Sequence, residues 1–372
     1  MTDKILTTLY GLSSTPPLNM DFEPMMAEIS KQEGIIKNEK GTFLRLQYEN
    51  AKQVELQLFD GDRFSFSKDI DGFWILPLPD DMEFCYIKIL VDGQWVLSPY
   101  LPLGYGDNHP LNFLDIAWVS APQENVAHGS LHRHTYWSSF RQREKFAYIY
   151  TPYGYEQGKD DYPVLYIQHG YGENELGWIY QGKLCEIADR LIAQKKMVPM
   201  IIVSSDGMMS RPLENGSYTH YPKAFSDELI KDIMTSVEST YRIKKGKLFH
   251  ALAGLSMGSL QTTMTLCAYP DVFSWAGLFS GFMTNIFNTD SSYLDAITNN
   301  VSTFNQNMKL FFRAMGDKDP FWGYFRTDDK LCERYGIRHK RLIYSGGHTW
   351  NVWRKCLLDF LPSLFREEEI EK

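Results

Sequence analysis

The hydrophobic periodicity changes along the chain, and this change restricts the possible folds more than any other feature of the sequence. From about residue 140, short continuous apolar runs alternate with segments of helical periodicity. Continuous runs of this length are typical of strands that are buried on both faces. The strands predicted in this way are FAYIYTP, YPVLYIQHG, MIIVSSDG, LFHALAG, KLFFRAMG and RLIYSGG. Alternating strands and helices predict an α/β fold with a mostly parallel sheet covered on both faces.

The first part of the chain has a different pattern, in which apolar and polar residues alternate between residues 40 and 100. Three Asp-Gly pairs separate these runs, and such pairs are a strong signal for tight hairpins. The pattern predicts an antiparallel β-sandwich. We therefore expect a sandwich domain with an irregular N-terminal segment over residues 1–120 and an α/β domain over residues 121–372, joined by a polar linker near 115–135.

One pentapeptide in the α/β part has the spacing of a nucleophile elbow, a sharp turn from a strand into a helix. It is Gly254-x-Ser256-x-Gly258, within ALAGLSMGSL. A buried strand is predicted before it, and a helix that Pro270 ends is predicted after it. Ser256 is therefore either a catalytic nucleophile or a small residue at a crowded turn, and the strand and helix around it favour the nucleophile.

A serine nucleophile needs a base to take its proton, and the base needs a carboxylate to orient it. In this architecture the acid and the histidine follow the serine, each on a loop after a strand. Only His339 and His348 follow Ser256 in the sequence. His348 is the predicted base, because it comes after a strand and directly before a helix. The acid is expected in GDKDPFWGYF, where Asp319 is favoured and Asp317 is the alternative.

Backbone donors must stabilise the negative charge that develops on the substrate oxygen, and each is worth about 3 kcal/mol. One expected donor is the N–H of Met257, at the start of the helix after the serine. The other is the N–H of Tyr171, in the segment HGYG that follows a predicted strand. Taken alone, HGYG could equally be an ordinary glycine turn.

Composition excludes several classes of function. The net charge is −8 and no block of lysine or arginine is present, which argues against nucleic acid and an anionic membrane as partners. No apolar window is as long as a membrane-spanning helix, and the apolar stretch at the N-terminus is shorter and more polar than the core of a signal peptide. We therefore expect a cytoplasmic location, although a signal removed earlier would leave no trace. His132 and His134 form an H-x-H with no third ligand nearby, so no metal is predicted.

Five segments, in this order, resemble the putative-esterase family of α/β-hydrolases. They are YPVLYIQHGYGENELGW, AFSDELIKDIMTSVESTYRI, AGLSMGS, GDKDP and SGGHTWNVWRKCLLDFLP. That family includes feruloyl and acetyl-xylan esterases of the first carbohydrate-esterase family and enterochelin esterases. The resemblance implies Ser256, Asp319 and His348 as the catalytic triad and Tyr171 and Met257 as oxyanion donors, with no cofactor. One departure is Ser259, where many relatives have a second glycine.

The N-terminal part, roughly residues 35–115, resembles immunoglobulin-like early-set domains related to the forty-eighth family of carbohydrate-binding modules. The motif that carries this resemblance is VDGQWVLSP. Whether this domain binds a glycan, and the oligomeric state of the chain, remain open at this stage.

The family resemblance leads us to expect a serine esterase that acts on hydroxycinnamoyl esters of plant cell-wall saccharides. Acetyl-xylan and siderophore-lactone esterases are the alternative enzymes, and a non-catalytic binding protein on a hydrolase fold is a third possibility. The expected partner is a small-molecule or oligosaccharide ester. The predicted substrate contacts are His169, Trp178, Trp322 and Trp350, because aromatic rings in loops near the triad can stack on a planar acyl group.

Overall fold

The computed structural model describes residues 33–59, 61–120, 125–212, 218–220, 222–287 and 290–366. The predicted irregular N-terminal segment lies almost entirely outside these residues. The chain divides into two compact units, Met1–Gln123 and Glu124–Lys372, which are described one at a time. Within the described residues, no helix is both long enough and apolar enough to cross a membrane.

In the first unit, the described residues form two antiparallel sheets and one short helix. Its strands are β1 (Gly34–Asn38), β2 (Gly41–Leu46), β3 (Val54–Leu58), β4 (Arg63–Ser65), β5 (Ser67–Lys68), β6 (Trp74–Leu78), β7 (Cys85–Val91), β8 (Gln94–Val96), β9 (Leu103–Gly106) and β10 (His109–Leu114), and its helix is α1 (Ile116–Ser120). The first sheet has the order β1-β2-β6-β5, and the second has the order β4-β3-β7-β10-β9, with β8 paired to β7.

The alternating pattern of these strands produces a core between the two sheets. Leu44 and Leu46 of β2 lie in the same buried cluster as Leu56 of β3 and Ile89 of β7. The hairpin between β7 and β8 is closed by Asp92 and Gly93, whose φ angles of 49° and 81° fit the two-residue turn that such pairs favour. The unit is thus a two-sheet sandwich, and its immunoglobulin-like, early-set class remains a prediction.

The second unit is built on an eight-stranded sheet of order β11-β12-β14-β13-β17-β18-β19-β20. The six strands from β14 to β20 in this order are parallel, whereas β11 and β12 pair antiparallel at one edge. A small hairpin of β15 and β16 lies outside this sheet. The strands are β11 (Ser130–Ser138), β12 (Arg143–Thr151), β13 (Val164–Gln168), β14 (Ile201–Ser205), β15 (Ser210–Pro212), β16 (Tyr218–His220), β17 (His250–Leu255), β18 (Trp275–Phe279), β19 (Leu310–Gly316) and β20 (Lys340–Tyr344).

Helices pack on both faces of the large sheet. They are α2 (Gly177–Tyr180), α3 (Leu184–Ala193), α4 (Ala224–Asp227), α5 (Thr235–Thr240), α6 (Met257–Ala268), α7 (Asp295–Thr298), α8 (Val301–Asn307), α9 (Trp322–Tyr335) and α10 (Trp350–Phe360), and a π-helical segment, Glu228–Met234, joins α4 to α5. Successive residues of β18 point to opposite faces. Leu278 lies in the cluster that contains Ile233, whereas Phe279 packs on Phe360 of α10 with ring centroids 5.3 Å apart.

The structure corrects two expectations about local structure. Residues 130–134, predicted as part of a polar linker, belong to β11, which is stabilised by nine paired residues with β12. Ser226 begins the helix-like segment SDELIKDIMTSVESTY, where a serine is expected to cap the first turn, but it lies inside the helix because α4 begins at Ala224. Its hydroxyl is buried and lies 2.9 Å from Thr265 Oγ1. Both differences arise from tertiary pairing, which the local pattern does not contain.

The stripe of apolar residues on the segment 224–240 should contribute measurably to stability. Ile233 is completely buried against the sheet, whereas Ile230 on the same segment is only half-buried. Because truncation of a buried isoleucine removes its contacts and leaves a cavity, Ile233→Ala should lower the free energy of unfolding by about 2–5 kcal/mol. Ile230→Ala is the matched control and should cost clearly less. Equal losses in urea unfolding would contradict this packing.

Candidate active site

Three loops at the carboxyl edge of the parallel sheet carry the predicted triad. Ser256 follows β17 directly, Asp319 lies three residues after β19, and His348 lies four residues after β20. Parallel strands place their carboxyl ends at one edge, where ligand sites of such sheets are found. The strand β17 is buried along its whole length, which gives the turn at Ser256 a rigid base.

The backbone at Ser256 has an unusual conformation, with φ 50° and ψ −116°. A residue other than glycine rarely adopts a positive φ, and such strain persists only where the surroundings enforce it. One restraint is the hydrogen bond from Ser256 N–H to the carbonyl oxygen of Phe279 on the neighbouring strand, at 2.9 Å. The serine is half-buried, so its side chain retains contact with solvent.

The two glycines of the pentapeptide permit a close approach of backbone segments. A Cβ atom at Gly254 would lie 2.3 Å from the carbonyl carbon of Gly258. A Cβ atom at Gly258 would lie 2.7 Å from the carbonyl oxygen of His169, on the loop after β13. Neither distance is sterically possible, so both positions require glycine. The turn is therefore crowded, and the crowding brings the start of α6 against the loop that contains HGYG.

Ser259, the departure from the family pattern, stabilises this turn. Its hydroxyl donates to the carbonyl oxygen of Ser256 at 2.5 Å and accepts from the N–H of Phe282 at 2.9 Å. The side chain is completely buried. A glycine at this position could make neither bond, so in this chain the serine hydroxyl connects the elbow to the loop after β18.

His348 and Asp319 are in direct contact. His348 Nδ1 lies 2.8 Å from Asp319 Oδ2, and because an ionised carboxylate only accepts, Nδ1 carries the proton of this bond. Asp319 is almost completely buried, and its Oδ1 accepts from the N–H of Phe321 at 2.9 Å. Asp317 instead accepts from the N–H of Gly346 at 3.0 Å and shapes the loop. Of the two candidate acids, Asp319 is the one that contacts the histidine.

Aromatic rings form a packed row beneath His348. Phe321 and Trp353 both contact the imidazole in edge-to-face geometry, with ring centroids 5.1 and 5.2 Å from it. Trp353 contacts Trp350 at 4.9 Å, and Trp350 contacts Trp178 at 5.1 Å. All three indoles are buried, so this row of packed rings restricts the movement of the loop that carries His348.

This packing corrects three of the four predicted substrate contacts. Trp178 is 0% exposed and donates its indole N–H to the carbonyl oxygen of Gln168, and Trp350 is 1% exposed. His169 is also 0% exposed. None of these side chains offers a surface on which an acyl group can stack. Trp322, the fourth, is half-buried and packs against Met315 and Phe325, and its role as a substrate contact stays a prediction.

The segment 169–173 forms a tight turn beside the serine. The N–H of Glu173 donates to the carbonyl oxygen of Gly170 at 3.3 Å, and Gly172 has φ 77°, as a type II turn requires at its third residue. A Cβ atom at Gly170 would lie 3.4 Å from Ser256 Cβ. The turn thus carries Tyr171 next to the serine. Met257 is the first residue of α6, where the helix leaves its N–H without an intrahelical acceptor.

The buried His169 holds this turn through both ring nitrogens. Its Nδ1 lies 2.7 Å from the carbonyl oxygen of Gly170, and its Nε2 accepts from the N–H of Gly207 at 2.9 Å. Because a backbone N–H can only donate, Nε2 is unprotonated and Nδ1 carries the proton. In a trans peptide the C=O and N–H point in opposite directions, so the bond to Gly170 also orients the N–H of Tyr171.

A buried carboxylate that the sequence analysis did not identify lies on the same turn. Glu173 Oε2 accepts from the N–H of Gly170 at 3.0 Å, and the carboxylate also accepts from the indole N–H of Trp350. Burial raises the pKa of Glu173 to about 7, although these two hydrogen bonds act in the opposite direction. A carboxylate within a glycine-rich loop was the available signal in the sequence.

A second group of buried charges lies behind His169. Lys145 Nζ donates to Glu228 Oε1 at 2.7 Å and to the carbonyl oxygen of Asp206 at 2.8 Å. Burial opposes ionisation of Asp206, but the Lys145 ammonium holds the pKa of this carboxyl well below its usual range. Asp206 Oδ1 also accepts from the N–H of Met208 at 2.8 Å, which shapes the loop after β14. The signal for Lys145 in the sequence was a positive charge directly before the predicted strand FAYIYTP.

Two exposed aromatic rings lie beside the turn. Tyr171 is 54% exposed and Phe287 is 45% exposed, and their ring centroids are 6.2 Å apart. Phe287 belongs to the loop after β18 and was not among the predicted contacts. No motif in the sequence distinguishes it, because its position next to Tyr171 depends on the order of the strands in the sheet.

Comparisons with known proteins agree with this fold. An endo-1,4-beta-xylanase/feruloyl esterase of Xylanibacter ruminicola is 30% identical over an alignment of 361 residues that covers 93% of this chain. The chain spans about half the length of this curated relative, 48%.

Two solved structures are similar in fold. A CE1 ferulic acid esterase from Anaeromyces mucronatus, solved in complex with ferulic acid, is 22% identical, with a TM-score of 0.57 over 66% of this chain and 94% of that chain. The enterobactin esterase of Shigella flexneri is 12% identical, with a TM-score of 0.61 over 93% of this chain and 99% of that chain. These likenesses concern the fold alone.

A family model described as putative esterase matches residues 138–364, which include every residue of the candidate site. This confirms the family predicted from the five segments. The chain belongs to the putative esterase family.

Proposed function

We propose that this protein is a serine esterase that hydrolyses carboxylic esters through an acyl-enzyme, with Ser256 as nucleophile, His348 as base and Asp319 as acid. The observation that carries the proposal is the strained conformation of Ser256, at φ 50°, on the same sheet edge as the hydrogen-bonded His348–Asp319 pair. Strained residues other than glycine cluster at functional sites. Membership of the esterase family supports the same reaction.

In the first half of the reaction, Ser256 Oγ attacks the carbonyl carbon of the ester while His348 Nε2 accepts the hydroxyl proton. The carbonyl electron pair moves to oxygen and forms a tetrahedral oxyanion. When the oxyanion collapses, the bond to the leaving oxygen breaks, and His348 returns its proton to that oxygen. The products are the free hydroxyl of the alcohol and an acyl-enzyme on Ser256.

In the second half, water attacks the acyl-enzyme with His348 again acting as base. The acid is released and Ser256 regains its proton. Asp319 orients His348 through the 2.8 Å bond to Nδ1 and stabilises the imidazolium that forms in each half. The N–H groups of Tyr171 and Met257 serve as the oxyanion donors, a role supported by their positions on the turn beside Ser256 and at the start of α6.

We further propose that the acyl group is a hydroxycinnamoyl group and that the alcohol is a plant cell-wall saccharide. The relative from Xylanibacter ruminicola is a xylanase/feruloyl esterase, and the match to an esterase family model supports its esterase activity, rather than its xylanase activity, as the one to propose here. The exposed rings of Tyr171 and Phe287 offer an aromatic surface close to Ser256. A planar aryl group can stack on such a surface, whereas an acetyl group gains little from it.

Acetyl-xylan and siderophore-lactone hydrolysis are the competing substrate assignments. The enterobactin esterase of Shigella flexneri matches 93% of this chain in fold, which includes the first unit, but at 12% identity this likeness does not extend to its substrate. Rates of hydrolysis of methyl ferulate, an acetylated xylose and a catecholate trilactone distinguish the three substrate assignments.

The role of Ser256 can be tested by labelling. A fluorophosphonate should label Ser256 alone, and Ser256→Ala should abolish labelling and lower kcat by several orders of magnitude, because no other group can form the acyl-enzyme. The folded state should be unchanged, as measured by circular dichroism. The control is Ser259→Ala, which should still be labelled. Labelling of another serine, or an active Ser256→Ala variant, would refute the mechanism.

The two aspartates of the β19–β20 region can be separated by substitution. Asp319→Asn should lower kcat by about 10⁴, the loss seen when a triad acid is removed, because His348 Nδ1 then loses its acceptor. Asp317→Asn is the matched control and should lower kcat far less, since the carboxylate of Asp317 accepts from the N–H of Gly346, whereas that of Asp319 contacts His348. If Asp317→Asn were the more damaging change, the assigned acid would be wrong.

The aromatic surface predicts a selective effect on substrate choice. Phe287→Ala should reduce kcat/KM for methyl ferulate by about tenfold, because stacking of one aromatic pair is worth about 1 kcal/mol beyond the area it buries. The value for an acetyl ester should change little. Tyr335→Ala, at the far end of α9, is the control with a similarly exposed ring. An equal loss of kcat/KM for both esters would show that these rings do not contact the acyl group.

A further inference from the structure

Glu173 lies between the two parts of the candidate site that must act together, the turn with Tyr171 and the loop with His348. We propose that Glu173 is a positioning residue whose carboxylate joins the oxyanion turn to the start of α10 and supports positive charge on His348 during the reaction. The proposal rests on the function proposed above. It adds to that function a fourth side chain, which does not touch the substrate.

The carboxylate of Glu173 has one partner on each side. The N–H of Gly170 donates to Oε2 at 3.0 Å, and the indole N–H of Trp350 donates from the other side. Trp350 is the first residue of α10 and follows His348 by two residues. The glutamate therefore connects two loops that are more than 170 residues apart in the sequence.

The space around this bridge is closely filled. A Cβ atom at Gly177 would lie 3.2 Å from the Trp350 ring and 3.8 Å from Glu173 Oε2. The bare backbone at Gly177 thus leaves room for both side chains. Glu173 itself is 7% exposed, so water competes little for its oxygens. A well-packed and buried acceptor of this kind holds its donors in one geometry.

The bond to Gly170 affects the oxyanion donor directly. Gly170 is held at its N–H by Glu173 and at its carbonyl oxygen by His169 Nδ1. Both peptide planes around Gly170 are therefore restrained, and the second of them carries the N–H of Tyr171. Misplacement of a catalytic group by about 1 Å can cost about 100-fold in rate, so loss of this restraint should lower kcat.

The charge of Glu173 matters in addition to its geometry. The titratable side chains that face it are His169, from the loop after β13, and His348, from the loop after β20. His169 is neutral, because its Nε2 accepts from Gly207. His348 becomes an imidazolium during catalysis, and an ionised Glu173 favours that charge in a site of low dielectric. Since the pKa of Glu173 is raised to about 7, activity should rise as pH passes through this value.

The experiment compares wild type with Glu173→Gln, Trp350→Phe and the double variant. Methyl ferulate and p-nitrophenyl acetate are the substrates, and kcat and KM are measured from about pH 5 to about pH 9. Glu173→Gln should lower kcat by about tenfold or more with KM nearly unchanged, since it acts on a donor used in the transition state. It should also shift the inflection near pH 7 relative to that of wild type. The double variant should be no worse than Glu173→Gln, because both changes break the same bridge.

Trp350→Phe tests the bridge independently of the glutamate variant. It removes a donor that lowers the pKa of Glu173, so the inflection should move to higher pH. Trp353→Phe is the matched control, because the buried Nε1 of Trp353 has no hydrogen-bond partner among the described residues. Trp353→Phe replaces an indole by a smaller ring in the same helix and should leave the inflection of the pH profile at the pH seen for wild type.

Thermal unfolding supplies a readout that does not depend on activity. A carboxyl with a raised pKa keeps its proton in the folded protein after the unfolded chain has lost it, so it destabilises the fold as pH rises from about 4.5 to about 7. The unfolding midpoint of wild type should therefore fall relative to that of Glu173→Gln over this range. Glu186→Gln, a substitution on the exposed side of α3, is the control, and its unfolding midpoint should follow that of wild type over this range.

The outcomes separate the two proposals. If wild type hydrolyses no ester, the proposed function fails, and the unfolding midpoints still decide whether Glu173 titrates as described. If wild type is active but Glu173→Gln keeps its kcat and its inflection near pH 7, the positioning role is refuted alone. Additive losses in the double variant would also refute it, since they would mean that Glu173 and Trp350 act separately.

Discussion

The contact between Gly254 and Gly258 across Ser256 is the constraint on which the rest of the site depends. It allows the strand β17 to turn into α6 within one residue, and it leaves Ser256 with a positive φ that few other residues adopt. The fully buried strand supplies the rigidity, and the hydroxyl of Ser259 adds a bond to the turn from the other side. The strain is therefore sustained by packing on both sides of the serine, so the position of its hydroxyl is set before any ligand binds.

A second level of organisation connects the loops to one another through buried polar groups. His169 and Glu173 hold the turn that carries Tyr171, and Trp350 links the same carboxylate to the start of α10. Asp319 holds His348 in turn. Buried polar groups are costly unless they are satisfied, and fully satisfied ones specify a single arrangement. This explains how loops from distant parts of the sequence form one site.

The sequence predicted those features that local patterns encode. The strand before Ser256 is a continuous apolar run, and the glycines and the order of serine, aspartate and histidine are visible directly, so the sheet edge and its three residues could be predicted. The burial of Trp178 and Trp350 could not, because it depends on how α2 and α10 pack together. The strand at residues 130–138 was missed because an edge strand is defined by its partner. Phe287 and Glu173 were missed for the same reason, because the role of each depends on a contact with a residue that is distant in the sequence.

The central claim is that the backbone of Tyr171 and Met257 stabilises the charge that develops after attack by Ser256. A crystal structure of the protein phosphonylated at Ser256 tests it most directly, because the phosphonyl oxygen mimics the oxyanion of the tetrahedral intermediate. We expect this oxygen to lie about 2.7–3.1 Å from both backbone nitrogens, with His348 Nε2 close to Ser256 Oγ. A phosphonyl oxygen that points to solvent, or to donors other than these two, would contradict the account.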